Sequence, residues 1–223
     1  MGLVLTLGVA AGARAQAAYG YRMDITLDRT RVGNFGAPTT LSNYPLLLDI
    51  TSSNLKTVAN GGHVQNTNGY DITFVGGDTT TCGAAAPCTF QYEIESYTAT
   101  TGRVIAWVAI PALNTVSATS NQTITVKYGD PTISSPTQNV NGTWETNFKG
   151  VWHMNQSSSP ASDSTSTGAS ASWNGSPTPA TASGLIGSGL STSGTTGTGY
   201  LDYRSATFNW ASTDTFTARG SFG

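Results

Sequence analysis

The sequence predicts an all-β protein built from short antiparallel strands, and two observations carry that prediction. The first is composition: charged residues make up only 10% of the 223 residues, 26 are glycine, and 38% are still hydrophobic. Abundant turn residues with enough apolar content for a core are typical of a β protein and not of a disordered chain. The second is the stretch Phe90 to Pro111, two strand patterns joined by a Gly-containing turn at Thr98 to Gly102.

Six stretches in the first part of the chain have the pattern of strands. Most alternate apolar and polar residues with period two, which sends one set to a core and the other to the opposite face. Val104 to Ile110 is apolar throughout, as expected of a strand covered on both faces. The predicted strands are Tyr21 to Leu27, Tyr44 to Ile50, Tyr70 to Val75, Phe90 to Tyr97, Val104 to Ile110 and Ile124 to Tyr128.

The N-terminus has the features of a signal peptide over residues 1–17. A short apolar run, Leu3 to Ala11, precedes Ala13-Arg14-Ala15 and Ala15-Gln16-Ala17, which are small-x-small cleavage patterns. Because of this pattern we expect export to the periplasm, the cell surface or the medium. The alternative for residues 1–17 is a buried N-terminal segment. We expect no membrane span, because no stretch reaches the ~20 apolar residues of a spanning helix.

Two cysteines flank the loop CGAAAPC, between two predicted strands. In an exported protein this spacing predicts a disulfide between Cys82 and Cys88 that closes the loop. A metal site would need more ligands than the loop supplies.

The C-terminal part differs in composition. Residues 131–147 read as a linker containing Pro, Ser and Asn, and residues 148–223 are rich in Ser, Thr and Gly. Short strands are predicted at Phe148 to Met154, Tyr200 to Tyr203 and Phe208 to Trp210. Residues 148–223 contain too few apolar side chains to close a sandwich core. The apolar surface that they could bury has to offset an ordering cost of about 1–2 kcal/mol per residue of backbone. We expect residues 148–223 to be the opening part of a larger domain.

Four motifs in order resemble the bacterial family called domain of unknown function 2341: ANGGHVQNTNGYDITF, YEIESYTATTGRVIAWVAIP, ITVKYGDP and TWETNFKGVWHMN. The resemblance covers about Tyr19 to Trp152. The later motifs GVWHMN, GLIGSGLSTSG and GYLDY resemble the start of a concanavalin A-like, laminin G-like domain. The chain departs from the family at Tyr92, where histidine is frequent. The resemblance implies a jelly-roll-like antiparallel β-sandwich over residues 19–130, an incomplete jelly-roll-like segment over 148–223, and no established activity.

An acidic face is the candidate binding site. If Tyr70 to Val75 pairs antiparallel with Phe90 to Tyr97, Asp71 lies opposite Glu93, and Glu95 shares their face. Facing carboxylates repel each other unless a cation, a proton or a ligand hydroxyl intervenes. Trp107 would add a ring on which a sugar can stack. The alternatives are a solvated strand face for the acids and core packing for Trp107.

Three functions remain open. The first, which we favour, is a non-catalytic surface module that binds a polysaccharide or a surface protein. The second is a spacer domain in an adhesin-like protein. The third is a glycoside hydrolase or lyase, since paired carboxylates serve such enzymes. No catalytic residue and no cofactor is predicted, although Ca²⁺ could neutralise the acids. A net charge of −2 without a basic run argues against nucleic acid.

Overall fold

The computed structural model describes residues 19–33, 36, 38–156, 161–175, 180–184, 186–191 and 200–202. The chain divides into two compact units, Met1–Thr143 and Trp144–Gly223. The predicted signal peptide lies outside the described residues. In the described part of the chain, no helix is long and apolar enough to cross a membrane.

The strand pattern of the first unit agrees closely with the alternation in the sequence. Its described α-helices are short: α1 (Thr79–Cys82) and α2 (Val140–Thr143). Three described 3-10 turns lie at Arg29–Arg31, Ser53–Leu55 and Val58–Asn60. Its described strands are β1 (Tyr21–Leu27), β2 (Thr40–Thr51), β3 (Thr73–Gly76), β4 (Cys88–Thr89), β5 (Gln91–Thr98), β6 (Arg103–Asn114) and β7 (Gln122–Tyr128).

These strands form two antiparallel sheets. One has the order β1-β7-β3-β4 and the other the order β2-β6-β5. The predicted hairpin is confirmed: β5 and β6 pair from Gln91↔Ala109 to Thr98↔Arg103. Gly102 closes its turn with a φ of +68°, and a Cβ there would collide with the carbonyl oxygen of Ser52. The turn therefore requires glycine.

One apolar core lies between the two sheets. Phe74 of β3 and Tyr92 of β5 meet across it, with ring centroids 5.2 Å apart in an edge-to-face arrangement. The buried cluster draws on both sheets and on the loop between β2 and β3, which contributes Leu55 and Val64. The first unit is thus an all-β sandwich, as the sequence predicts.

The predicted pairing of Tyr70 to Val75 with Phe90 to Tyr97 is wrong. β3 pairs with β7 and with the two-residue strand β4, where Val75 faces Thr89 and Gly76 faces Cys88. A last backbone hydrogen bond joins Phe90 N to Phe74 O at 2.9 Å. The chain then crosses to the other sheet as β5. The core-facing side of each sheet needs the same alternation of apolar and polar residues. The pattern alone therefore does not say to which sheet a strand belongs.

The predicted disulfide between Cys82 and Cys88 is confirmed. It joins the end of α1 to β4. The side chain of Asp78 begins α1 by accepting a hydrogen bond from Thr81 N at 2.7 Å. The disulfide lies against Gly76, where an added Cβ would come within 2.8 Å of Cys82 Sγ.

The second unit contains short strands: β8 (Ser172–Asn174), β9 (Ala180–Ser183), β10 (Ser188–Ser191) and β11 (Tyr200–Asp202). β9 pairs with β10 and β8 with β11, both antiparallel. The strand predicted at Phe148 to Met154 is not formed. That segment is instead held by Asp163, which accepts hydrogen bonds from Val151 N, Thr165 N and Ala169 N. The predicted strand at Phe208 to Trp210 lies outside the described residues.

Candidate functional site

A groove of about 290 Å³ runs along the edge of β5 in the first unit, and we call it the β5 groove. In the three-stranded sheet β5 is an outer strand. The groove lies between that strand and two loops, one before β3 and one after β7. Its lining residues are Thr67, Asn68, Tyr70, Tyr92, Ile94, Glu95, Ser96, Tyr97, Pro136, Thr137 and Gln138.

A β-bulge explains why four consecutive residues of β5 line this groove. Ile94 pairs with Ala106 and Ser96 with Ile105, so Glu95 is the additional residue that forms the bulge. In a regular strand, successive side chains point to opposite faces. A bulge breaks that alternation and redirects a side chain. The bulge thus brings Glu95 to the groove.

Trp107 fixes the position of the Glu95 carboxylate. The indole Nε1–H of Trp107 donates a hydrogen bond to Glu95 Oε2 at 3.3 Å. Both side chains are half-buried. The structure therefore brings together two of the predicted site residues, Glu95 and Trp107.

The wall opposite β5 is a strap, residues 136–138, which belongs to the segment predicted as a linker. Thr137 Oγ1 lies 2.6 Å from the Tyr92 hydroxyl and donates to Tyr70 O at 2.8 Å. Gln138 Oε1 accepts a hydrogen bond from Ile94 N at 2.8 Å. This last contact satisfies a backbone donor of the outer strand, which would otherwise be open to pairing.

Two of the tyrosines that line the groove, Tyr92 and Tyr97, have hydroxyl groups that are hydrogen-bonded to the protein. Tyr97 OH donates to Leu55 O at 2.7 Å, and Tyr92 OH donates to Ile72 O at 2.8 Å. Burial raises the pKa of Tyr97 well above its ordinary value, and it also raises the pKa of Tyr92. Both side chains therefore stay neutral at physiological pH and offer ring carbon to the groove.

Asp71 lies neither on the predicted acidic face nor in a strand. It belongs to the turn before β3, and its side chain is 0% exposed. Its Oδ2 accepts from Gln65 N at 2.8 Å and from Gly129 N at 3.0 Å, while Oδ1 accepts from Asn66 N at 2.9 Å. Three backbone donors make Asp71 a structural carboxylate that ties one loop to the end of β7.

Glu93 is also separated from Asp71, and the predicted shared face is wrong. Glu93 is 8% exposed and faces Trp107 as its partner in the β5–β6 ladder. It is not among the groove residues. Of the three predicted acids, only Glu95 lines the groove.

The described residues of the two units contain no cluster of ligands for the Ca²⁺ that the sequence analysis considered. Within the described ranges, no group of three or more His, Cys, Asp or Glu side chains could hold a metal ion together.

Several groove residues escaped the sequence analysis. Thr137 and Gln138 lie in a segment that reads as a linker, and nothing in its composition shows that it packs on β5. Tyr97 lines the groove and packs against the core. Strand alternation instead places it on the face of Glu93 and Glu95, because alternation does not reveal the bulge between Ile94 and Ser96. One feature of the sequence could have indicated part of this groove. The turn pair Asn68-Gly69 lies just before a predicted strand, and loops at strand ends frequently carry binding residues.

Searches of protein-family models, curated proteins and solved structures find no match to this chain. The resemblance to the domain of unknown function 2341 family and to a concanavalin A-like domain therefore stays a prediction. The fold and the groove stand on the structure alone.

Proposed function

We propose that this chain is an exported, non-catalytic surface module whose β5 groove binds one sugar unit of a glycan. The observation that carries the proposal is the mixture of groups in the groove. Ring carbon of Tyr97 lies beside polar side chains of Asn68, Glu95, Ser96 and Gln138. Sugars present apolar C–H faces and a rim of hydroxyls, so they need this combination of rings and hydrogen-bonding groups.

The size of the groove supports a small ligand unit. At about 290 Å³ it is just below the ~300–1,000 Å³ common for small-molecule sites. It is bounded by the side chains of an outer strand and two loops. A polysaccharide could therefore place one unit in it while neighbouring units continue outside.

The placement of the carboxylates supports binding over hydrolysis. Glycoside hydrolases generally act with two carboxyl groups on either side of the scissile bond. The described lining of the groove contains one carboxylate, Glu95, which already accepts a hydrogen bond from Trp107. Asp71 is enclosed by three backbone donors. We therefore favour binding over the hydrolase alternative.

A blocking substitution tests the proposal. In the full chain, Asn68→Arg would place a long side chain in the groove from an exposed position. Thr123→Arg is the matched control, because Thr123 is exposed on β7 of the other sheet. On an array of polysaccharide fragments, the unchanged protein and Thr123→Arg should bind, and Asn68→Arg should not.

Three outcomes would contradict the proposal. Absence of binding to every glycan would favour the spacer alternative. Equal binding by Asn68→Arg would move the ligand away from the β5 groove. Release of reducing ends from any fragment would instead favour the hydrolase alternative.

A further inference from the structure

The orientation of the Gln138 side chain gives the groove a defined hydrogen-bond donor. A backbone N–H can be accepted only by the amide oxygen, so the 2.8 Å contact from Ile94 N fixes which end of the amide is Oε1. The NH₂ group then lies on the other side of the amide. Within the described part of the chain, Gln138 Nε2 donates no hydrogen bond to the protein. Gln138 thus offers the groove a donor.

Apolar surface lies close to this donor. Ile94 is half-buried in the groove wall, Pro136 is exposed two residues before Gln138, and Tyr97 has its hydroxyl committed to Leu55 O. These three side chains present aliphatic or ring carbon to a ligand. The groove therefore joins an amide donor to an apolar wall.

We propose that the β5 groove prefers a sugar that carries an acetamido group, with the acetyl carbonyl accepting from Gln138 Nε2 and the methyl packing on Ile94, Pro136 and Tyr97. This inference rests on the proposed function and names its ligand class. An acetamido group supplies the acceptor and the methyl together. A hydroxyl at the same carbon supplies no methyl, and an ammonium supplies no acceptor.

Three β-1,4-linked glucose-type hexamers that differ only at carbon 2 test the preference. The probes carry acetamido, hydroxyl or ammonium groups there and are titrated calorimetrically against the full chain. The acetamido hexamer should bind about tenfold more tightly than the hydroxyl hexamer, a difference of about 1.4 kcal/mol. The ammonium hexamer should bind no better than the hydroxyl hexamer.

Gln138→Glu isolates the donor. Glutamate keeps an oxygen for Ile94 N and replaces the NH₂ group with a second acceptor. The acetamido advantage should shrink to about twofold or less, because the lost donor is the group that recognises the carbonyl. Gln91→Glu is the charge-matched control: Gln91 is exposed on β5, the strand that Gln138 contacts, and lies outside the groove. It should keep the full advantage.

The outcomes separate the inference from the proposed function. Equal binding of all three hexamers would overturn the acetamido preference while leaving a glycan site. An undiminished preference in Gln138→Glu would also overturn it. Failure of all three hexamers and of the glycan array would overturn the proposed function itself. Tighter binding of an N-acetylated alanine tetrapeptide than of any hexamer would assign the groove to peptides instead.

Discussion

Trp107 and Glu95 are hydrogen-bonded across the β5 bulge, although Trp107 stands opposite Glu93 in the strand register. The indole Nε1–H reaches Glu95 Oε2 at 3.3 Å because the extra residue displaces Glu95 along its strand. A side chain on the outer face of the sheet thereby sets the position of a groove carboxylate.

Trp107→Phe should weaken glycan binding without a large loss of stability. The substitution keeps most of the ring and removes the N–H that orients Glu95. We expect affinity to fall about threefold to tenfold, as for the loss of a hydrogen bond of about 1 kcal/mol. Titration of the full chain with its best glycan measures this. Unchanged affinity would mean that Trp107 does not position the carboxylate.

Asp71→Asn should destabilise the first unit strongly. The carboxylate accepts from three backbone N–H groups, and an amide would turn an NH₂ donor towards at least one of them. The expected loss is at least about 2 kcal/mol, since hydrogen bonds to charged groups are stronger than neutral ones. Thermal unfolding measures it.

Asp49→Asn is the control for that experiment. Asp49 is a half-exposed carboxylate on β2 that pairs with Arg103 at 2.7 Å. Exposed ion pairs contribute little to stability. Its melting temperature should therefore change much less than that of Asp71→Asn. Equal losses would contradict the structural role of Asp71.

Gly76→Ala should destabilise the protein, and the neighbouring Gly77→Ala should not. A Cβ at Gly76 would lie 2.8 Å from Cys82 Sγ and 2.8 Å from Phe90 Cζ, whereas one at Gly77 meets no atom within 4 Å. Overpacking of this kind costs about 1–3 kcal/mol. Urea unfolding of both variants measures the difference. Similar midpoints would show that the disulfide loop yields to the added methyl.

Alkaline pH should unfold the protein as its buried tyrosines are forced to ionise. Burial raises the pKa of Tyr92, Tyr97 and Tyr128 in the folded state. Below the ordinary value of about 10 both states bind these protons, so the contribution to stability is complete. Above it the unfolded chain releases protons that the folded chain keeps, and the free energy of unfolding falls.

Tyr97→Phe gives this prediction its test. At neutral pH the variant should lose about 1 kcal/mol with the hydrogen bond to Leu55 O. Between neutral and strongly alkaline pH it should lose less stability than the unchanged protein, because one ionisation is removed. Circular dichroism during a pH titration follows both. An identical pH dependence would contradict the role of Tyr97.

Alternation in the sequence predicted the strands well because it reports which side chains face an apolar core. Met23, Ile25 and Leu27 are buried as expected, and the all-β sandwich follows from many such stretches. The hairpin at Gly102 was predictable for a local reason, since its turn lies between adjacent strands. The disulfide was predictable from the spacing of its cysteines.

The site was less predictable, for reasons that lie beyond local pattern. Asp71 follows the alternation of polar and apolar residues with Tyr70 and Ile72, yet these residues lie in a turn. There the Asp71 carboxylate accepts hydrogen bonds from backbone N–H groups. Glu95 reaches the groove through a bulge, which inserts one residue and which alternation does not reveal. The strap with Gln138 depends on tertiary contacts to β5. In each case a turn, a bulge or a tertiary contact determines the position of the residue, and strand alternation reports none of these.

The pairing of β1 with β7 has a mechanical consequence. Tyr21, the first residue of β1, is the ladder partner of Tyr128, the last of β7. Tension applied across Tyr21 and Tyr128 would therefore open the ladder from one end, breaking its pairs in succession rather than shearing them all at once. The two positions are also only about 5 Å apart, the spacing of neighbouring strands. The folded chain from Tyr21 to Tyr128 therefore spans almost no distance from its first residue to its last.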